Sequence, residues 1–425
     1  MDVGRSPSGR TGVVASGFLR VSGPLLASWR TPLGKVLAAA LVLRLTGLTW
    51  GLPASDGWDD DGVAPRDFLV GVLMSYWPGH HYVYPPLHLI ILTVVSLPIW
   101  IPAVVGASSL QQEEIIRAFI HVPTMTALAI VARATTAALS LGLLWTLAKI
   151  GEDLRGTKRA GAWVAAACGA NAVFTYYSQT TNLDLAYLFW AVLALRWLVH
   201  AIVHREWRAL RRVPIFAALA VATKDQAYAL FVLGLPLAWA AWMLVDPEAR
   251  RNARAAWRPL AAGSAIGIVL LLVIDGVLIN PSGFADRIQL LLGTASQDHA
   301  FYAKSWYGRS RALADSLLMF GECYPWVFAP VAALGLVVAL RAADLAKRAA
   351  GFAPLLFAVS FTVAFNMAAR RSEHRFVLPQ TTMWGLYAGL AFDAIHARMR
   401  ERRPWIAWAV AVPCFLAAFV RCAAV

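Results

Sequence analysis

Charged side chains are scarce: Asp, Glu, Lys and Arg make up 15% of the 425 residues, against roughly 25% in soluble domains. With 59% hydrophobic residues and a mean hydropathy of +0.59, that scarcity excludes an ordinary soluble enzyme. Acid is scarcer than base, 24 residues against 38, giving a formal net charge of +14. The surplus does not point to nucleic acid, because the bases cluster between apolar runs. It reads as topology plus attraction to anionic lipid headgroups. Cysteine is limited to Cys168, Cys323, Cys414 and Cys422. They lack metal-ligand spacing and fall mostly within apolar runs, so they read as buried small hydrophobes rather than a disulfide framework. Period-2 alternation is missing, which argues against a membrane barrel. No internal repeat is found, and no stretch outside the apolar runs is large enough for a second globular domain.

What is present is a succession of apolar runs of membrane-spanning length, at about 33–51, 87–106, 124–148, 160–177, 184–203, 213–223, 227–245, 260–279, 317–340, 352–369, 376–395 and 404–424. The chain is therefore expected to be all-α, a polytopic helical membrane protein. Residues 1–32, rich in Ser, Gly and Arg, are expected to form a disordered cytoplasmic tail. Residues 33–425 are expected to form a single transmembrane domain with outer loops at 52–86 and 280–316. The connectors 149–159, 205–212, 250–258, 341–348 and 398–403 are predominantly basic, and residues 5–35 hold five bases. By the positive-inside rule all belong in the cytoplasm. Parity then requires that one early run not cross. The best candidate is 87–106, which Pro98 and Pro102 interrupt and Pro85-Pro86 precede. It is expected to lie along the outer interface or re-enter, leaving about 11 transmembrane helices. Run 213–223 is also unusual. Eleven helical residues reach about 16 Å, well short of a hydrocarbon core about 30 Å thick, so it suggests an outer cavity dipping into the membrane.

Under this topology the unusual polar residues share the outer side. Asp56, Asp59, Asp60, Asp61 and Asp67 face a single base, Arg66, within thirteen residues. Carboxylates between apolar spans are costly unless they sit in water or line a polar cavity, although a solvated loop would also hold them. Asp184 follows the polar run Ser178–Asn182 and could simply cap its helix. Lys224 ends the short run and could pair with Asp225. Arg370-Arg371-Ser372-Glu373-His374-Arg375 breaks the positive-inside rule, and bases held at an outer surface suit a phosphate or pyrophosphate. An interfacial anchor is the competing account. Arg44 and Arg133, inside apolar runs, snorkel or lock helices together. His80-His81 lack an i+4 partner and suit an interface better than a metal.

The ordered set resembles the GT-C superfamily of membrane glycosyltransferases, in particular its protein O-mannosyltransferase and aminoarabinose-transferase branch. The acidic run Trp58–Asp61 is similar to the motif in that family's long first outer loop. Tyr84-Pro85-Pro86-Leu87 is similar to the opening of its interfacial helix. Arg133 with Leu154–Arg159, Tyr176-Tyr177-Ser178 ahead of Asp184, Thr223-Lys224, and Arg375-Phe376-Val377-Leu378-Pro379 resemble later family motifs in order, across roughly residues 35–395. Glu373-His374 resembles the GPI-mannosyltransferase branch. In one departure, the family's Asp-Glu pair is replaced by an Asp run ending in Gly62.

The resemblance implies inverting transfer of a sugar, hexosyl or pentosyl, from a polyprenyl-phosphate carrier on the non-cytoplasmic face. It also implies an integral protein of a bacterial inner (cell) membrane, with its active site on the outer face. Asp61, with Asp60 second, is the expected general base. Tyr84, Asp184, Lys224, Arg371, His374 and Arg375 are the expected substrate-binding residues, the bases stabilising the departing phosphate. The donor lipid and membrane lipids are the expected partners, with no nucleic acid. No Gly-rich phosphate loop supports a nucleotide-sugar donor. No cofactor is assigned, the acceptor is left open, and a divalent metal is left open as well. The alternative is a transporter or lipid flippase that uses Asp184 and Lys224 as a coupling pair.

Overall fold

In a computed structural model, the residues described are 30–53, 63–64, 67–109, 111–293, 300–400 and 403–424. Their regular structure is all helical, without a strand. The expected 1–32 tail falls outside them apart from its last residues, and Asp59–Asp61 also lie outside.

Helix α1 (Pro32–Leu45) begins at Thr31, whose Oγ1 accepts from Gly34 N at 3.0 Å. After the acidic loop come α2 (Asp67–Tyr76), then α3 (Leu87–Val95) and α4 (Leu97–Val105), bent by 67° at Ser96-Leu97-Pro98. The bend lies where the prolines suggest an interfacial or re-entrant segment. Short α5 (Gln112–Ile120) leads into α6 (Val122–Arg155), 34 residues and so about 50 Å long. It ends on Gly156 in the left-handed conformation. The expected run 160–177 is two helices, α7 (Lys158–Gly169) and α8 (Ala172–Tyr177). Asn171 separates them, and its side chain caps the second.

α9 (Asp184–His204) returns beside α6 and is followed by α10 (Arg212–Val221), α11 (Gly234–Val245) and α12 (Ala253–Ile274). α10 has ten residues, as short as the sequence indicates. After α12 lie α13 (Pro281–Leu292) and α14 (Trp306–Leu318). The run expected as a single span at 317–340 is broken at Tyr324-Pro325. The helical stretch there turns by 103° before α15 (Phe328–Leu340). α16 (Leu345–Phe361), α17 (Leu378–Met399) and α18 (Pro404–Ala424) complete the chain.

Six described helices are long and apolar enough to cross a membrane, and two more arise if each bent pair counts as one span. The shortfall from eleven falls on segments that are short or broken, such as α1, α7–α8 and α10. It also falls on α17, which is enclosed by its neighbours along most of its length. Backbone approach around α17 is close: a Cβ on Gly389 would lie 2.3 Å from Val164 Cα, and one on Gly335 would lie 1.7 Å from Tyr387 O. Small residues at such crossings let helices pack where no hydrophobic drive separates protein from lipid. Arg44 and Arg133 lock helices. Arg44 Nε donates to Ser140 Oγ at 2.9 Å, and Arg133 Nη1 donates to Leu48 O at 3.1 Å and Trp50 O at 2.7 Å.

Candidate active site

Asp184 begins α9, but its carboxylate does not cap it. Asn182 Oδ1 accepts from Asp184 N at 2.8 Å, which frees the acid to face inward. Asp184 Oδ1 accepts from Lys224 Nζ at 2.9 Å and from Gln226 Nε2 at 2.7 Å. Lys224 reaches it because α10 stops early. The chain is extended at Lys224 (φ −155°) and then tightens into a 3-10 turn over Asp225–Ala227. Asp184 is fully buried and Lys224 is 8% exposed. The second carboxylate oxygen, Oδ2, has no hydrogen-bond partner, nor has the Tyr187 hydroxyl one turn further on. The positive end of the α9 dipole favours the buried charge. Tyr177 stands within electrostatic reach of Asp184, Glu373 and Arg375 together, so the two motifs share one region.

The segment carrying Glu373 and Arg375 is stapled from below. α16 passes into a π-helical turn at Thr362–Met367, a local geometry often found at functional sites. It turns the buried Asn366 toward the loop. Asn366 Nδ2 donates to Arg371 O at 3.2 Å and to Phe376 O at 3.1 Å, and its Oδ1 accepts from Gln380 Nε2 at 2.7 Å. Arg370 adopts a positive φ of 55°, costly for a residue with a Cβ. Its Nη1 bond to Tyr302 O (2.8 Å) and the Phe301 N bond to Arg370 O (3.1 Å) help hold it there. Arg375 Nε lies 2.8 Å from Glu373 Oε2.

A second clamp, missed in the sequence, joins α13 to the turn after Lys224 and to the end of α12. Arg287 on α13 is ion-paired to Asp225, the neighbour of Lys224, and lies 3.3 Å from Asp275 Oδ2. Its guanidinium sits over the Tyr82 ring at 5.3 Å. Burial pushes the Asp275 carboxyl up to about 6, with Arg287 opposing the shift. Asn280 ties the same region to the chain after α2: its Oδ1 accepts from Gly79 N at 3.0 Å and its Nδ2 donates to His80 O at 2.8 Å. The sequence showed only mixed charge in 280–316, because Arg287 and Asp225 are brought together from 62 residues apart.

Beside the loop opens an apolar groove of about 810 Å³ between α14, α15, α16 and α17, lined by Leu317, Trp326, Val359, Met367 and Trp384 among others. Ser316, Thr362, Gln380 and Thr381 are among its polar lining residues. Ser316 Oγ lies 3.0 Å from Ser372 Oγ in the stapled loop. The groove therefore leads from membrane-facing apolar surface to the segment that carries Arg371 and Arg375.

This arrangement of helices matches solved structures. ArnT from Cupriavidus metallidurans in the apo state superposes with a TM-score of 0.53 at 16% identity, over 90% of this chain and 62% of that one. The same enzyme bound to undecaprenyl phosphate gives a TM-score of 0.56 at 16% identity, over 94% and 64%. The archaeal oligosaccharyltransferase AglB from Archaeoglobus fulgidus, in complex with an inhibitory peptide and a dolichol-phosphate, gives 0.51 at 14% identity, over 91% and 54%. The chain has the GT-C fold. It spans less than two thirds of the length of each of these proteins. No family model and no curated protein matches it by sequence.

Within this GT-C fold, Asp184 and Lys224 are in direct contact, while Arg375 pairs with Glu373 and lies over the Phe376 ring at 4.7 Å. Arg371 is in the stapled loop, with its N–H on Asn366 O at 3.1 Å. His374 is exposed at the start of a 3-10 turn. Tyr84 lines a separate cavity of about 210 Å³ with Asp67, Ser75 and Tyr82. Asp60 and Asp61 lie outside the described residues. Val63, just beyond them in sequence, donates its N–H to Thr181 O at 3.4 Å, three residues before Asp184.

Proposed function

We propose that this protein transfers a sugar from a polyprenyl-phosphate carrier to an acceptor, with inversion, at the non-cytoplasmic face of a bacterial cell membrane. The observation that carries the reading is the apolar groove opening beside the Arg371–Arg375 loop, which Ser316 on its lining joins to Ser372. A polyprenyl tail suits the groove and its phosphate suits the bases. The solved complexes of the same fold, ArnT with undecaprenyl phosphate and AglB with dolichol-phosphate, support a carrier of this class. In the step, the acceptor oxygen bonds to the anomeric carbon as the bond from that carbon to the phosphate oxygen breaks. The acceptor proton passes to Asp61, or to Asp60. The departing phosphate takes the electron pair, and Arg375, Arg371 and Lys224 stabilise its charge. Asp184 holds Lys224 in place for that role.

The test uses the protein in nanodiscs, measuring binding of polyprenyl phosphate and release of sugar from a panel of polyprenyl-phosphate-linked hexoses and pentoses. The expected result is saturable binding and turnover of at least one donor. Arg375→Ala should weaken donor use roughly ten- to a hundred-fold, since a charge-assisted hydrogen bond contributes about 1.5–3 kcal/mol. Arg375→Lys should rescue it poorly, because an ammonium lacks the planar fork. Asp61→Asn should lose turnover but keep binding; if Asp60→Asn alone is inactive, the base moves by one residue. Absence of binding and turnover, with lipid still moved between leaflets, would overturn the reading in favour of a flippase.

A further inference from the structure

α9 carries a second polar cluster at its far end, about 30 Å from Asp184 at 1.5 Å per residue. His200 and His204 stand one turn apart on the same helix, an i, i+4 spacing that aims two imidazoles at one point. Asp153, in the last turns of α6, faces both. His204 Nε2 lies 3.1 Å from Asp153 Oδ1, and His200 Nδ1 lies 3.4 Å from Asp153 Oδ2. One ligand atom from each of the three falls within 4.8 Å of the others. Ligands about 2.0–2.2 Å from a tetrahedral zinc ion sit roughly 3.4 Å from one another, close to the 3.1 and 3.4 Å separations of the two histidines from Asp153.

The placement of His200 decides between a metal site and a knot of ion pairs. Its Nε2 lies 3.0 Å from Glu206 Oε2. Its Nδ1 is buried and makes no hydrogen bond. A neutral imidazole has one N–H. Given to Glu206, it leaves Nδ1 as a lone pair facing Asp153 and His204. A carboxylate on the remote nitrogen is the usual way a metal-binding histidine is oriented. Arg196 Nη1 holds Asp153 Oδ2 at 2.5 Å, which fixes the carboxylate while its Oδ1 stays turned toward His204. His204 is half-exposed, so an ion can enter and water can fill a fourth position.

We propose that His200 Nδ1, His204 Nε2 and Asp153 bind one divalent transition-metal ion of the zinc class, joining α6 to α9 at the end of the bundle remote from Asp184. Two imidazoles and one carboxylate suit such an ion, whereas magnesium and calcium take oxygen ligands. Glu206 is the positioning residue for His200.

The experiment titrates zinc and cobalt into untagged protein in nanodiscs, followed by calorimetry, visible absorption of bound cobalt, and thermal unfolding. Wild type should take up one ion per chain, give the absorption of four-coordinate cobalt, and unfold several degrees higher with zinc. His204→Ala and His200→Ala should lose the cobalt spectrum and the thermal shift. Glu206→Gln should bind about ten- to a hundred-fold more weakly, and His80→Ala should match wild type. If His200→Ala does not fold, the half-exposed His204→Ala carries the test. Unchanged affinity and spectrum in His204→Ala, or no uptake by wild type at sub-millimolar zinc, would overturn the site and leave His200 as a bridge between two carboxylates. Ion uptake is read without any sugar donor, so it stands or falls independently of the proposed transfer.

Discussion

Asp184 and Lys224 form a pair whose energetics differ from those of a surface salt bridge. Both are buried, and Asp184 retains an oxygen without a partner. Removing one member of such a pair strands the other in a medium of low dielectric, which costs about 3–5 kcal/mol. Replacing both by apolar groups of similar shape is often close to neutral. Lys224→Met should therefore destabilise the protein clearly, and the double variant Asp184→Leu/Lys224→Met should recover most of the thermal midpoint. Sugar transfer should stay lost in both, because the charge offered to the departing phosphate is gone. Thermal unfolding alongside donor turnover checks this. Recovery of activity in the double variant would reduce the pair to a structural contact.

The π-helical turn at Thr362–Met367 shows how one element sets a loop's shape. Its extra residue rotates Asn366 inward, where a single amide satisfies two carbonyls, of Arg371 and Phe376, at the two ends of the basic loop. Asn366→Ala leaves both acceptors without that donor in a buried setting, at about 1–3 kcal/mol for each unsatisfied group. The helix on either side should persist, held by α17. The expected outcome is a donor KM raised by roughly ten-fold or more, with kcat less affected and faster proteolysis near 370–376. Unchanged KM with unchanged proteolysis would show that the loop keeps its shape unaided.

At the scale of the whole molecule, the two polar ends of α9 and the basic connectors predict an orientation that labelling can read. The four native cysteines are buried, so they form a silent background. Single cysteines replacing His374 and Tyr307, both exposed, should react with an impermeant reagent added from outside. Those replacing Lys158 and Arg211, exposed at the other end, should react only after permeabilisation. Reaction of the 158 position from outside would reverse the orientation. It would also place the Asp184–Lys224 region on the cytoplasmic side.

Local composition determined the class of molecule and much of its punctuation. Apolar run length marks α6, α9, α12 and α16 as spans because lipid imposes that length on any helix crossing it. Proline marked the bend at Ser96-Leu97-Pro98, since its missing N–H and fixed φ act on the neighbouring residues alone. The short α10, followed by Thr223-Lys224, was readable because its apolar run is only about eleven residues long. Tertiary structure decided the pairings. That Asp184 meets Lys224, and Arg287 meets Asp225 and Asp275, depends on helices that return across the bundle. Sequence spacing does not encode which faces meet. The break of 317–340 at Tyr324-Pro325 and the splitting of 160–177 at Asn171 were passed over although Pro325 and Asn171 stand there, because the apolar runs resume at once on the far side. The third ligand-like group facing His200 and His204 was hidden. Asp153 lies 51 residues from His204, and only the packing of α6 on α9 makes them neighbours.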